Sequence, residues 1–290
     1  MKLGEIVDPS LARRRRKATA FRLLCTGMTA VSLILLVTLI VHVTREGIGS
    51  LSWQFLSSLP SYQPERAGIK TALFGTLWLI ALTGFIAVPV GVAAAVYLEE
   101  YARPGRLNTL IEVNLSNLAG VPSIVYGILG LALFVRGVAL GESVLAGALT
   151  MSLLILPVII MASREAIRAV PPSIRQAAFA LGATRWETVR HHVVPSALPG
   201  IITGIILALS RAIGETAPLV MIGALTYVPF VPRGPMDSFT ALPIQIYNWA
   251  SKPQQEFHLL AAAGIIVLLA VLLVMNGTAV YIRQRSRKGQ

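Results

Sequence analysis

With 290 residues, 55% of them hydrophobic and 13% charged, the chain is long enough for one or two soluble domains but far too apolar for a water-facing surface. Its formal charge of +12 would suit a polyanion, yet the basic residues sit between long apolar stretches, which argues against nucleic-acid binding and for membrane topology. Cys25 is the single cysteine, so no intramolecular disulfide or cysteine metal cluster can form.

A helix needs about 20 apolar residues to cross the hydrocarbon, where every backbone polar group must bond internally. Six stretches reach that length, at 21–43, 71–97, 111–135, 143–162, 199–225 and 259–282. They predict an all-α membrane protein with six transmembrane helices. A basic cytoplasmic segment at 1–20 precedes the six-span domain at 21–282, and a basic cytoplasmic tail at 283–290 follows it.

The first span follows Arg13, Arg14, Arg15, Arg16 and Lys17, a start that resembles a signal peptide. Its 23 residues are long for that role and no small-residue cleavage pattern stands out, so an uncleaved helix is expected. With the N-terminus inside, cytoplasmic segments hold 18 of the 25 basic residues and external segments six: Arg45, Arg66, Lys70, Arg136, Arg233 and Lys252. This bias predicts both termini in the cytoplasm.

The external segment at 44–70 carries Leu51, Trp53, Phe55, Leu56 and Leu59 among serines, which suits either a short interfacial helix or a plain connector. In the third span Pro122 removes a backbone donor and frees the carbonyl near Leu118, so a bend is expected beside Gly120. Ser116, Asn117, Ser123 and Tyr126 flank it; polar residues there either hold helices together or line a path for a polar solute.

The cytoplasmic stretch at 164–198 is too long for a turn. Ser173 and Gln176 have capping-box spacing, and Ile174, Ala177, Ala178 and Leu181 then form one apolar stripe. Gly182 is expected to stop this helix, and Thr184 with Glu187 to cap a second one running through Trp186, Val189 and Val193 until Pro195 ends it. Phe179 lies off the stripe, where a large aromatic would fill a partner's pocket; the alternative is an amphipathic linker packed on its own spans.

Within the fifth span Arg211 and Glu215 are spaced to pair along a helix, and their cost in lipid directs them toward the bundle interior or a water-filled cavity. They either lock helices together or present a guanidinium fork to an oxyanion, with Glu215 occupying that fork when the path is empty. The segment at 226–258 is long, external and rich in proline, and an exposed loop of this size can meet an external partner. His42, His191, His192 and His258 make no ligand set, since the adjacent pair diverges by about 100° on a helix, and no metal or other cofactor is expected.

Gln176, Ala177, Ala178, Gly182, His192, Val193, Val194 and Pro195 together resemble the EAA loop of ABC importer permeases: a glutamate and two alanines, a glycine four positions on, then isoleucine, any residue, leucine and proline. Gln176, His192 and Val194 depart from that pattern. Gly120 to Gly127 (GVPSIVYG) and Ser210 to Pro218 (SRAIGETAP) resemble the phosphate-transport permeases, and the single set of six spans looks PstA-like. The resemblance covers essentially the whole chain.

It implies a type I ABC importer (MetI-like) architecture and a permease subunit without its own ATP-binding motif. The implied partners are a PstC-like second permease subunit, a PstB-like ATPase dimer, an external PstS-like phosphate-binding protein, inorganic phosphate and membrane lipid. The implied substrate path comprises Arg211, Glu215, Thr216, Ser123, Tyr126 and Asn117, and the ATPase coupling loop comprises Gln176, Ala177, Ala178, Phe179, Gly182 and Pro195. None of the lysines follows a glycine, so no phosphate-cradling loop is present to bind ATP. Rival readings are a permease for sulfate, molybdate or thiosulfate, an intramembrane enzyme, and a membrane scaffold. An enzyme would need convergent catalytic groups within the spans, and only Arg211 and Glu215 lie there.

Overall fold

A computed structural model describes residues 9–103, 105–224 and 227–288. The first eight residues of the expected N-terminal segment, the end of the expected fifth span at Leu225, and the last two residues of the tail lie outside the described residues. The chain begins with α1 (Pro9–Gly47), the short α2 (Trp53–Ser57) and α3 (Lys70–Val96), which continues through a π turn at Tyr97–Tyr101. Helices α4 (Arg106–Ala119) and α5 (Ser123–Gly130) follow, α5 extended by a π turn at Leu131–Gly137, and then α6 (Val144–Arg168). Helices α7 (Pro172–Ala180) and α8 (Arg185–Thr188) lead through a π turn at Val189–Val193 into α9 (Val194–Gly214). Short α10 (Ala217–Met221), α11 (Leu242–Ala250) and the long α12 (Gln255–Lys288) complete the order.

Five helices are long and apolar enough to cross a membrane, and the pair α4 and α5 makes a sixth crossing if counted as one broken span. Helix α6 is the most buried of them and packs against α3 and α9. Lipid tails are as apolar as these side chains, so close packing rather than hydrophobic transfer holds the helices together. A Cβ at Gly204 would lie 2.5 Å from the Ala162 Cβ, and one at Gly91 would lie 2.6 Å from the Ile159 side chain, so both glycines set the approach to α6. Leu79, Met151, Ile155 and Ile159 fill the resulting interior. Helix α1 packs on α12 at its C-terminal end, where a Cβ at Gly47 would lie 2.6 Å from the Ala262 backbone, while the rest of its span is exposed with Cys25 on its surface.

The third span breaks more sharply than a bend: α4 and α5 meet at 100°. Proline forces the residue before it out of the helical region and cannot donate into the turn, so α4 stops at Ala119 and α5 restarts with Pro122 as its N-cap. On the external side, Ser52 caps α2 by accepting from the Phe55 N–H at 3.1 Å. Phe55 is 2% exposed against Trp249, with ring centroids 5.8 Å apart, while Trp53 remains on the surface. The 227–258 segment is only partly an exposed loop: Tyr227, Phe230 and Met236 are exposed, while Phe239 and Trp249 are buried, α11 lies on α12 and α3, and the Leu242 N–H donates to Thr76 Oγ1 at 2.8 Å.

Candidate functional site

Two broken spans are brought face to face. Helix α9 ends at Gly214 and α10 restarts at Ala217, while α4 ends at Ala119 and α5 restarts at Ser123. The second halves, α5 and α10, pack on each other, and a Cβ at Gly127 would lie 2.7 Å from the Pro218 Cα and 2.8 Å from the Met221 Cβ. Glycine is required here because any side chain would hold the two halves apart. The two sequence strings of the third and fifth spans are therefore one site in space.

Arg211 Nε donates to Glu215 Oε1 at 3.3 Å. Glu215 is not a further helical residue but the extended residue that ends α9, with φ −78° and ψ 125°. The pair thus bridges a helix end. Half of the Arg211 side chain is exposed against a fifth for Glu215, and no acceptor among the described residues meets the other guanidinium N–H groups. Such a cation is costly against lipid, which requires that it face a cavity or a neighbouring subunit.

Tyr126 is 7% exposed, and its hydroxyl donates to the Leu118 carbonyl at 2.8 Å, the oxygen that the proline break leaves without its helical partner. Ser123 opens α5 half-buried, Thr216 precedes α10 half-buried, and Asn117 is exposed near the end of α4. Ser210, just before Arg211, lies 2.6 Å from Asn276 Oδ1 and ties the break to α12.

The cytoplasmic loop departs from expectation in three places. Pro171 and Pro172 start α7, so Ser173 is already inside the helix and no side chain caps it. Helix α7 stops at Ala180, which turns Leu181 outward at 90% exposure; only Ile174 and Ala178 of the expected stripe pack inward. Pro195 does not end the second helix, because the wide turn at Val189–Val193 gives its ring room and the helix passes into the fifth span. The elbow itself is as expected. Gly182 has φ +84°, and Thr184 and Glu187 bond reciprocally, with the Thr184 N–H donating to Glu187 Oε2 at 2.8 Å. Phe179, Leu181 and Trp186 are exposed on this knob, as are Gln176 and Ala177, and Pro195 is half-buried.

Missed in the sequence are ion pairs at the ends of the spans: those of Arg164 and Arg168 join α6 to the end of α3 and to α4, and that of Arg175 holds α7 to the end of α3. Arg164, 6% exposed, bonds Glu99 and Glu112; Arg168 bonds Glu99 at 3.0 Å; and Arg175 bonds Glu100 at 2.6 Å while also donating to the Val170 and Ile167 carbonyls. These arginines read as topology markers along the chain. The available signal was the Glu99–Glu100 pair at the same membrane face, where opposite charges at the ends of neighbouring spans find each other.

The family described as binding-protein-dependent transport system inner membrane component matches residues 87–288. The phosphate transport system permease protein PstA 1 of Mycobacterium tuberculosis is 35% identical over 290 aligned residues, covering 96% of this chain and 92% of that one. Among solved structures, a bacterial alginate ABC transporter in complex with its alginate-bound periplasmic protein superposes with a TM-score of 0.68 over 93% of this chain and 96% of its own, at 15% identity. The MetNI methionine ABC transporter superposes with a TM-score of 0.62 over 74% of this chain and 96% of its own, at 18% identity. At these identities the structural matches establish the fold, a MetI-like type I importer permease.

Proposed function

Because the chain belongs to the family of binding-protein-dependent transport system inner membrane components, we propose that it is the PstA-like permease subunit of an ATP-driven phosphate importer. It does no bond chemistry; ATP is hydrolysed by a PstB-like dimer seated on the cytoplasmic knob. A PstC-like subunit completes the path, a PstS-like protein delivers phosphate from outside, and both termini lie in the cytoplasm. The six-span domain runs over 21–282, between basic cytoplasmic ends.

One observation carries this reading. The half-exposed guanidinium of Arg211, held only through Nε by Glu215 among the described residues, stands where α9 gives way to α10 against the broken third span, and there the helix ends are free to meet a polar solute. In the resting pair Glu215 neutralises the cation. A tetrahedral oxyanion offers more acceptors than one carboxylate oxygen and displaces it, so the arginine replaces part of the anion's lost hydration during passage. Ser123 and Thr216 flank the same junction and supply hydroxyl donors; Asn117 lies toward the cytoplasmic side of the break. Tyr126 shapes the path by holding the break together.

The knob transmits movement. Phe179 and Leu181 are the exposed apolar groups that an ATPase cleft would bury, and Arg175 of α7 ties that cleft's movement through Glu100 to the end of α3. The test is to co-purify the chain with its partner subunits and reconstitute them in vesicles with the external binding protein. Phosphate-stimulated ATP hydrolysis and uptake that excess sulfate does not inhibit are expected; uptake abolished equally by sulfate would assign another oxyanion.

A further inference from the structure

At the cytoplasmic end of the spans the arginines divide into two sets. Arg164, Arg168 and Arg175 each bond a glutamate. Arg185 and Arg190, on the other side of α8, have no carboxylate within salt-bridge distance among the described residues and rest on aromatic rings instead. The Arg185 guanidinium lies 5.1 Å from the Tyr101 ring centroid and that of Arg190 lies 6.0 Å from the Trp186 centroid. Arg190, Tyr101 and Trp186 line a groove of about 580 Å³ that runs from the end of α3 to the start of α9.

The chemistry of this groove changes along its length. Ala93, Val96, Val189 and Val194 make an apolar floor at the depth of the spans. Tyr97, Tyr101 and Trp186 follow at the rim, the residue types that settle at a membrane interface. Arg190 stands at the mouth, no acidic residue lines the groove, and the Tyr101 hydroxyl at its edge is buried without a hydrogen-bond partner among the described residues. A soluble anion has no use for the apolar floor, and a zwitterionic lipid gains little from two unpaired cations.

We propose that this groove is a binding site for one anionic glycerophospholipid. An acyl chain lies along the floor beside Ala93 and Val194, the glycerol region rests against Tyr97 and Trp186 at the rim, and the phosphate meets Arg190, with the Arg185 charge close by on Tyr101. Because α8 carries Trp186 and Arg190 follows it in the π turn, an occupied groove braces the second helix of the knob against α3. This site is separate from the Arg211 junction and does not depend on which solute is carried.

The test is native mass spectrometry of the full chain in detergent, titrated with phosphatidylglycerol, with phosphatidylcholine of the same chains, or with inorganic phosphate. One retained phosphatidylglycerol per chain is expected. Arg190→Gln should weaken retention about fivefold, the effect of one basic residue near a membrane surface, while Arg190→Lys should keep most of it. Ala93→Phe should block the groove and abolish retention with both arginines intact, which an ion site would not do. Both variants alter exposed side chains, and circular dichroism matching the parent checks their fold. Equal retention of phosphatidylcholine, displacement by inorganic phosphate, or unchanged retention in Arg190→Gln or in Ala93→Phe overturns the proposal.

Discussion

The Tyr126 hydroxyl donates across the break in the third span to the Leu118 carbonyl, 2.8 Å away. Proline at 122 frees that oxygen, and the phenol eight residues on from Leu118 returns a donor to it, so a single hydrogen bond fastens two helices that diverge by 100°. The Val121 N–H also reaches the same oxygen at 3.1 Å, which leaves it partly satisfied if the phenol is lost.

Tyr126→Phe should therefore lower stability by about 1 kcal/mol, near the small end for a buried group losing one of two partners. Thermal unfolding in detergent reads this directly. The phosphate concentration for half-maximal uptake should stay unchanged, because the hydroxyl is turned to the backbone. A shift in that concentration with stability intact would place the hydroxyl on the substrate.

Arg211 and Glu215 can be separated from a merely structural pair by removing both. Either single substitution leaves a charge without its partner and should lower yield. Arg211→Met with Glu215→Leu should restore folding and assembly but not phosphate uptake, since no cation remains to offset the anion's dehydration. Arg211→Lys should retain part of the uptake, keeping charge without the planar fork. Normal uptake by the double variant would make the pair a helix lock.

At the cytoplasmic elbow, Gly182 has open space around its Cα and φ of +84°. Gly182→Val meets no neighbour, so its cost is the left-handed backbone alone, about 1–2 kcal/mol. The variant should insert normally yet lose coupling of ATP hydrolysis to uptake. Gly182→Asn, which tolerates that region, should keep most of it. Coupling that survives valine would remove the elbow from the transmission path.

Arg164 and Arg168 share Glu99 but differ in burial, with side chains 8% and 53% exposed. Arg164→Met should cost about 1–3 kcal/mol, because the largely buried Glu99 keeps only Arg168 as a partner while Glu112, its side chain 40% exposed, stays solvated. Arg168→Met should cost at most about 1 kcal/mol, with solvent screening the loss. Unfolding temperatures of the two variants, measured side by side, check the ordering.

The sequence by itself determined the elements whose cause is local. Apolar length marked the spans, because lipid leaves the backbone no partner but itself. Pro122 located the break, Gly182 the left-handed turn, and Thr184 with Glu187 the cap, each a property of adjacent residues. Arg211 and Glu215 were legible because two charges in a span are too costly to be incidental. Expectation failed where a neighbour in space set the outcome. Pro195 reads as a stop, but the wide turn before it lets the helix run on; Leu181 reads as part of a packed stripe, but the helix ends one residue before it. Only the tertiary structure decided that Gly127 meets Pro218, that Phe239 and Trp249 of the external segment are buried, Trp249 against Phe55, and that Arg164, Arg168 and Arg175 find Glu99, Glu112 and Glu100. Those contacts join residues from about 50 to almost 200 positions apart, and periodicity along one helix carries no information about which face of another helix it meets.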